Sequence, residues 1–374
     1  MNNIAALIMA LWGCFFAHSG YAQASPSAED MAGAMIMTGF RGTEAPKAVL
    51  QAISRGQLGG VILFDKEWKT GTPCNIDSPE QLKRLVASLH AASPRTLFVA
   101  VDQEGGKVSR LKAAKGFFSL PSAKEMGRMD TSRVRELGFQ AGREMKALGI
   151  NIDLAPVVDL QRSSSSPGLG DKGRLFGAAP SYAASRALAF SDGLHHAGVL
   201  PALKHFPGLG SARKDSHHEL PDITESWLED ELIPYKEAFR RGWPGIVLVA
   251  HVYHRRMDDS LPASLSPSVV DGLLRKKLGW NGVVISDDLQ MAAASGGRTL
   301  DEIVFLAIQA GNDILLFGNN IDYDPLLHEK VFHTVMNLVR KGKISRKRLE
   351  ASWKRIQALK SSMKKRKREA VSLQ

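Results

Sequence analysis

From residue 31 onward, short apolar runs alternate with longer segments in which apolar positions recur at helical spacing. Eight of these runs are continuously apolar instead of alternating with polar residues, which is typical of parallel strands buried on both faces. They lie at Ala34–Phe40, Gly60–Phe64, Thr96–Asp102, Ile150–Asp159, Leu200–His205, Gly245–Val252, Gly282–Asp287 and Asp313–Gly318. The pattern therefore predicts an α/β protein built from eight β/α units.

The segments between the runs carry helix start and stop signals. Ser78–Gln81 offers a cap residue, a proline at the first helical position and a glutamine three residues after the cap, which predicts a capping box. Ser266-Pro267 predicts a second helix start. Thr131–Leu148 and Leu300–Ala310 each lead to a glycine that is suited to a C-cap, and residues 345–360 predict a final helix.

Eight β/α units within residues 31–360 favour a single (β/α)8 TIM barrel. A doubly wound open sheet is the alternative, but it usually carries a phosphate-binding glycine-rich turn after its first strand. Residues 39–42 (GFRG) have neither the G-x-G-x-x-G nor the Walker spacing. With no Pro/Gly linker and no internal repeat, we expect one barrel domain over residues 25–360.

The N-terminus differs from the rest of the chain. Residues 4–17 are uninterruptedly apolar and are followed by Ala22-Gln23-Ala24, a small-x-small site for a signal peptidase, although no Lys or Arg precedes Arg41. We therefore expect residues 1–24 to be a cleaved signal peptide, which implies a periplasmic or secreted protein with no stable membrane insertion. An uncleaved anchor, a lipid-modified Cys14 and a cytoplasmic location are the alternatives.

Charge and cysteine content narrow the choice of partners. The chain has 374 residues, a formal charge of +11 and 44% hydrophobic residues, which is ordinary for a globular protein apart from the excess of basic residues. The basic run at 364–368 lies in a C-terminal tail, residues 361–374, which we interpret as solvated in preference to binding a polyanion. No interleaved aromatic residues indicate nucleic acid. Cleavage at Ala24 would leave Cys74 alone, which excludes an intramolecular disulfide and a Cys-ligated zinc site.

Ionisable residues fall at the carboxyl ends of five consecutive predicted strands, the end at which TIM-barrel active sites lie. A structural role is the simpler interpretation of any single one, but charges rarely gather at strand ends without a shared purpose. The set comprises Asp102, Asp153, Asp159, Lys204, His205, His251, Asp287 and Asp288.

The loop after the fifth predicted strand, residues 204–221, is the richest in chemistry. Asp215 and His217 are two residues apart, so the carboxylate can orient the imidazole for proton transfer near neutral pH. Metal ligation by His205, His217 and His218 is an alternative. A polar surface loop without chemistry is another.

Six motifs in this order resemble family 3 glycoside hydrolases, in particular their bacterial N-acetylglucosaminidases of the NagZ type. They are VDQEGGKVSRL (101–111), LPSAKEMG (120–127), APVVDL (155–160), KHFPGLG (204–210), DSHHELP (215–221) and ISDDLQM (285–291). The resemblance extends from about Asp30 to Lys360. It implies a TIM barrel and a retaining β-N-acetylhexosaminidase that removes terminal β-linked N-acetylglucosamine from peptidoglycan fragments, with no cofactor and no metal.

The resemblance also implies roles for particular residues. Asp287 matches the nucleophile, and His217 matches the acid/base with Asp215 as its partner. The residues that match binders of the terminal sugar are Asp102, Arg110, Arg174, Lys204 and His205. A carboxylate nucleophile and a proton donor are the two groups that retaining hydrolysis needs. We expect a monomer that acts on N-acetylglucosamine-containing oligosaccharides.

Two departures from the family pattern and two alternative functions remain. Leu209 stands where the family usually has a second histidine, and residues 161–176 are longer and richer in serine than the family's segment, so Arg174 is assigned by its R-x-F-G pattern alone. The alternatives are a β-N-acetylglucosaminide phosphorylase and a noncatalytic sugar-binding relative.

Overall fold

The computed structural model of the chain describes residues 25–162, 168–216 and 219–372. Its main sheet contains eight parallel strands in the order β10-β1-β2-β3-β6-β7-β8-β9, and a bridge between Ile285 and Ile314 joins its two edges into a barrel. The strands are β1 (Ile36–Thr38), β2 (Gly60–Ile62), β3 (Phe98–Val101), β4 (Gln103–Gly105), β5 (Val108–Ser109), β6 (Ile152–Asp153), β7 (Leu200–Phe206), β8 (Ile246–Val249), β9 (Val284–Ser286) and β10 (Leu315–Phe317), of which β4 and β5 form a separate hairpin. The predicted TIM barrel is confirmed.

Helices follow the barrel strands and enclose them. They are α1 (Ala28–Ala34), α2 (Lys47–Ser54), α3 (Pro79–Ala92), α4 (Ala123–Met126), α5 (Thr131–Ala147), α6 (Pro180–His196), α7 (Ile233–Arg240), α8 (Ala292–Ser295), α9 (Leu300–Ala310), α10 (Leu327–Arg340) and α11 (Arg346–Ser372). A π-helical segment, Ser268–Lys277, occupies the place where Ser266-Pro267 predicted a helix. The predicted signal peptide, residues 1–24, lies outside the described residues.

Burial of the barrel strands on both faces explains their continuous apolar runs. Every residue of β1, β2, β3, β7, β8, β9 and β10 is buried. The fourth barrel strand is shorter than the predicted Ile150–Asp159, because β6 ends at Asp153 before Pro156, which has no N–H to donate to the ladder. Beyond β6, the carbonyl oxygens of Ala155 and Pro156 still accept from the backbone N–H groups of Ala202 and Lys204, and Val157 forms a bridge with Lys204.

The helix signals were mostly correct, with two differences. Ser78 caps α3 by accepting from the backbone N–H of Gln81, but the Gln81 side chain accepts from Asp77 instead of closing a capping box on Ser78. Gln81 also donates to the carbonyl of Thr43, and this tertiary contact competes with the local one. The final helix continues to Ser372, beyond the predicted end at residue 360. Among the described residues, no helix is both long and apolar enough to span a bilayer.

Helix α11 is held against the barrel by one buried carboxylate. Asp313, which is fully buried, accepts from Ser352 of α11 at 2.6 Å and from Arg355 at 3.2 Å. Its other oxygen accepts from Arg275 of the π-helical segment at 2.7 Å and from the backbone N–H of Val284 at 3.0 Å. The carboxylate therefore ties the last helix to β9 and completes the closure of the barrel.

Helix α9 begins with a complete capping box, which gives a direct test of local stability. Thr299 accepts from the backbone N–H of Glu302, and Glu302 accepts from the backbone N–H of Thr299 at 2.8 Å. We expect Thr299→Ala to lower the free energy of unfolding by about 1 kcal/mol, because it leaves helix N–H groups without an acceptor. Urea denaturation measures this, with Thr299→Ser as the control that keeps the cap. Equal stability of the alanine and serine variants would contradict the assignment.

Candidate active site

Four of the predicted site residues lie at one end of the barrel. Asp102 directly follows β3, Lys204 and His205 lie in the second half of β7, and Asp287 directly follows β9. Because the strands are parallel, these positions share the carboxyl-terminal rim. The barrel therefore brings together groups that are up to 185 residues apart in the sequence.

A network of buried charges forms the floor of this rim. The Lys204 ammonium lies 2.9 Å from Asp102 and 2.6 Å from Glu104, and its side chain is 3% exposed. Arg110 donates to the other oxygen of Asp102 at 3.1 Å. Arg174 forms a bidentate pair with Glu104 at 2.7 and 2.8 Å. Three cations and two carboxylates are thus joined by ion pairs.

The network keeps its members ionised. Burial by itself would raise the pKa of Glu104, but the charges of Arg174 and Lys204 outweigh it and lower that pKa to about 2. Burial opposes ionisation of Asp102 as well, yet Lys204 and Arg110 hold its pKa well below the ordinary range. The carboxylates in turn raise the pKa of Lys204 against the effect of burial. The rim therefore presents groups of fixed charge at neutral pH.

Asp153 lies beneath this network in a different state. It is fully buried at the end of β6, and one of its oxygens accepts from the backbone N–H of Gln103 at 2.9 Å. Burial raises its pKa well above the ordinary value, and the charges of Asp102 and Glu104 add to that effect while Lys204 opposes it. Burial therefore disfavours the charged form of Asp153, and its bond to Gln103 supports the β4–β5 hairpin.

That hairpin presents Arg110 to the site. Its turn passes through Gly105 and Gly106, both with positive φ, and a Cβ on Gly105 would lie 2.0 Å from the carbonyl oxygen of Pro121. Only glycine permits this close approach. Arg110 follows β5 directly, so the tight turn brings its guanidinium back over Asp102.

His205 is oriented by a carboxylate that sequence reasoning left without a role. The fully buried side chain of Asp159 lies 2.6 Å from Nδ1 of His205 and also accepts from the backbone N–H of Leu209 at 2.7 Å. Arg174 lies 3.3 Å from Nε2 of the same ring. Because arginine only donates, the proton belongs on Nδ1 and Nε2 accepts. Leu209 takes part through its backbone N–H while its side chain is buried in the core.

Asp287 is half-buried at the end of β9. Its backbone N–H donates to the carbonyl of Val249 at 2.9 Å, and its carboxylate accepts from the backbone N–H of Asp288 at 2.9 Å. Asp288 turns away and accepts from the backbone N–H groups of Gln290 and Gly318. Backbone contacts on both sides therefore fix the main chain that carries the predicted nucleophile.

His251 supports this arrangement from the neighbouring strand. It is fully buried, with one ring nitrogen 2.9 Å from the carbonyl oxygen of Asp288 and the other beside the hydroxyl of Ser264. These contacts give a structural role to one of the rim residues that the sequence singled out.

Of the predicted acid/base pair, the structure describes only Asp215. It lies in the loop after β7, and its carboxylate is next to Gly168 of the loop after β6. His217 and His218 lie outside the described residues. Their roles stay predictions, as does the metal alternative. Within the described ranges, no group of three or more His, Cys, Asp and Glu side chains is arranged to hold a metal ion.

The loop that follows His205 rests on a buried acid, which predicts a pH effect on stability. Glu231 is 1% exposed, and a Cβ on Gly208 would lie 2.6 Å from its Oε2. Burial, followed by the charge of Asp159, raises the pKa of Glu231 to about 8, although Arg162 opposes this. The folded chain therefore holds this proton more tightly than the unfolded chain does, and stability falls as the pH rises from about 4.5 to about 8.

We expect Glu231→Gln to remove that dependence. The melting temperature of the variant, relative to wild type, should rise between about pH 5 and about pH 8. Thermal unfolding across this range measures the change. Glu229→Gln is the matched control, because Glu229 lies on the same turn with a side chain that is 62% exposed. Parallel pH profiles for the two variants would contradict the prediction.

Comparisons with known proteins agree with the fold. The sequence model of the glycosyl hydrolase family 3 N-terminal domain matches residues 28–359. A β-hexosaminidase of Tolumonas auensis is 36% identical over 294 residues, which covers 76% of this chain and 83% of the relative. Another, from Alkalilimnicola ehrlichii, is 35% identical over 300 residues, covering 78% and 82%.

Solved structures resemble the chain over most of its length. A family 3 β-N-acetylglucosaminidase from Paenibacillus sp. superimposes with a TM-score of 0.83 and 32% identity, over 91% of this chain and 63% of that one. A β-N-acetylhexosaminidase from Beutenbergia cavernae gives a TM-score of 0.81 and 28% identity, over 90% and 99%. The chain therefore belongs to glycosyl hydrolase family 3, and it is a glycoside hydrolase.

Proposed function

We propose that this chain is a retaining exo-β-N-acetylglucosaminidase that releases terminal β-linked N-acetylglucosamine. The relatives named above as β-hexosaminidases and β-N-acetylglucosaminidases support this substrate class. The observation that carries the proposal is that the buried ion pairs of Lys204 with Asp102 and Glu104 and the half-buried carboxylate Asp287 lie at the carboxyl ends of strands of the same barrel.

In the first step, a carboxylate oxygen of Asp287 attacks the anomeric carbon as the bond to the leaving oxygen breaks. His217, in its protonated form, transfers a proton to that oxygen, so the aglycone departs as a neutral alcohol. The sugar is then held as a covalent ester of Asp287. The Asp215 carboxylate orients the imidazole and stabilises its charged form.

In the second step, neutral His217 removes a proton from water, and the resulting hydroxide equivalent attacks the anomeric carbon. The bond to Asp287 breaks, and free N-acetylglucosamine leaves with its original β configuration. A group with a pKa near neutral suits both halves of this cycle, because it must first donate and then accept.

The buried network would hold the terminal sugar during both steps. We propose that Asp102, Arg110, Lys204 and His205 form hydrogen bonds with the hydroxyl groups of the sugar. Ion pairs fix the first three side chains, and Asp159 fixes His205. Arg174 is the fifth proposed sugar-binding residue, and its ion pair with Glu104 holds it in place. Preorganised groups of this kind lower the barrier because they need not reorient during the reaction.

For the natural substrate, we propose peptidoglycan fragments that end in N-acetylglucosamine. The apolar segment at residues 4–17, with its predicted cleavage site at Ala24, supports a periplasmic or secreted enzyme that meets such fragments outside the cytoplasm. We propose a monomer that needs neither metal nor cofactor.

Covalent trapping tests the mechanism. A 5-fluoro-N-acetylglucosaminyl fluoride should inactivate the enzyme, and peptide mapping should place the sugar on Asp287. An aryl β-N-acetylglucosaminide should be hydrolysed and the matching aryl β-glucoside should not. A label on another residue, or turnover abolished by EDTA, would overturn the assignment.

The products decide between the alternatives. We expect N-acetylglucosamine itself, with or without phosphate in the buffer. N-acetylglucosamine 1-phosphate as the main product would identify a phosphorylase, and sugar binding without turnover would identify a noncatalytic relative. Release from purified peptidoglycan fragments, but not from chitin oligosaccharides, would support the proposed natural substrate.

A further inference from the structure

The serine-rich segment after β6 ends in a turn of which the proposed chemistry uses only the last residue. This turn, Gly168–Arg174, is closed by backbone bonds, since the N–H groups of Lys172 and Arg174 both donate to the carbonyl of Leu169. Leu169 is 1% exposed and anchors the turn in the core. The turn is therefore a fixed part of the rim.

Arg174 connects the turn to the floor of the site. Its guanidinium donates to the carbonyl oxygen of Gly168 at 2.9 Å and to both oxygens of Glu104. The side chain of Glu104 is 3% exposed and also pairs with Lys204 at 2.6 Å. The position of Gly168 is thus set by the same charges that would hold the sugar.

The opposite face of Gly168 receives the carboxylate of Asp215. A Cβ on Gly168 would lie 2.9 Å from Oδ2 and 3.2 Å from Cγ of Asp215, inside the normal contact distance. Gly168 also has φ +77°, a conformation that side chains other than glycine rarely adopt. The bare α-carbon leaves the space that the carboxylate fills.

We infer that Gly168 is a positioning residue for the acid/base loop. Because it has no side chain, the carboxylate of Asp215 packs against its α-carbon and is held in place there. The inference rests on the proposed function, in which Asp215 orients His217. The inference gives a function to Gly168–Arg174, which belongs to the segment that departs from the family pattern. Arg174, which bonds both Gly168 and Glu104, connects the proposed sugar-binding residues to the loop that supplies the proton.

A side chain at Gly168 should displace the carboxylate while leaving the fold intact, because the tip of the Asp215 side chain can move. A shift of a few tenths of an ångström should lower kcat/KM about tenfold for a substrate that needs protonation of its leaving group. A dinitrophenyl glycoside, whose aglycone leaves without a proton, should lose less than about twofold.

The experiment compares Gly168→Ala with Gly173→Ala in the full chain. Gly173 has φ +70° in the same turn, but its nearest atom to an added Cβ is 3.6 Å away, so this control carries the backbone strain without the contact. For each protein, kcat/KM is measured on alkyl and dinitrophenyl β-N-acetylglucosaminides, with thermal unfolding alongside. Gly168→Asn is the second variant, because asparagine tolerates positive φ better than alanine does.

Selective loss with the alkyl substrate in Gly168→Ala, absent in Gly173→Ala, is the expected result. An equal loss of kcat/KM on both substrates, or no difference between the two alanine variants, would contradict the positioning role of Gly168. Asp215→Asn separates this from failure of the proposed function. If Asp215→Asn keeps full activity on the alkyl substrate, the acid/base assignment is wrong. If Asp215→Asn loses activity while Gly168→Ala and Gly168→Asn do not, only the positioning role of Gly168 is wrong.

Discussion

Replacing Asp287 by asparagine should lower kcat/KM about 1,000-fold or more, a loss of about 4 kcal/mol in transition-state stabilisation. The amide keeps the shape of the side chain and can still accept from the backbone N–H of Asp288, but it is a far weaker nucleophile than a carboxylate. Release of the aryl group from an aryl β-N-acetylglucosaminide measures the effect, and thermal unfolding should change little.

Asp288→Asn is the matched control for this prediction. Its carboxylate is adjacent in sequence, but it accepts from the backbone N–H groups of Gln290 and Gly318, which an asparagine oxygen can also do. We expect its activity to stay within about tenfold of wild type. If Asp287→Asn retained wild-type turnover, or if the two variants were equally impaired, Asp287 would not be the nucleophile.

Lys204→Met should produce the largest loss of stability, about 3 kcal/mol or more in the free energy of unfolding. Methionine matches the lysine side chain as far as Cε but removes the ammonium that bridges Asp102 and Glu104. Two carboxylates are then left facing each other in a buried site, each with a single arginine. Urea denaturation at neutral pH measures the loss, and we expect hydrolysis to fall below detection.

The same variant makes a prediction about acid pH. The pKa of Glu104 is lowered to about 2 in the folded chain, so the stability from its pairing is present above about pH 4.5 and is lost as the pH falls through about 2. The difference between wild type and Lys204→Met should therefore shrink on acidification. Lys330→Met is the control, because its ion pair with Asp324 is exposed and should contribute at most about 1 kcal/mol. Equal losses in both variants would contradict the role of Lys204.

Short sequence signals correctly predicted those features that depend only on interactions between neighbouring residues. Gly311 ends α9 as predicted, because a positive-φ glycine acts on residues within one turn. The same reasoning failed at Gln81, whose side chain reaches Asp77 and Thr43 instead of its own cap residue. It also overestimated the length of the fourth barrel strand, which ends at Asp153 instead of Asp159.

The site shows the same division. The charged residues at strand ends were visible in the sequence, and the family motifs named most of them. Glu104 stood inside one of those motifs without a role, since its partner Arg174 is 70 residues away. Asp159 was noted only as a strand end, because the ring it orients belongs to the next barrel strand. For Asp159 the signal in the sequence was a charged residue at the end of a predicted strand, and for Glu104 it was a charged residue two positions after one.

By itself, the sequence determined the alternation of strands and helices, the TIM barrel and the rim at which the charged residues gather, because side-chain periodicity and strand direction depend on near neighbours. Only the tertiary structure decided which charges pair, which nitrogen of His205 carries the proton and which loop receives Asp215. Those contacts join residues tens of positions apart, and their energies depend on burial and on distances of a few ångströms that no local pattern encodes.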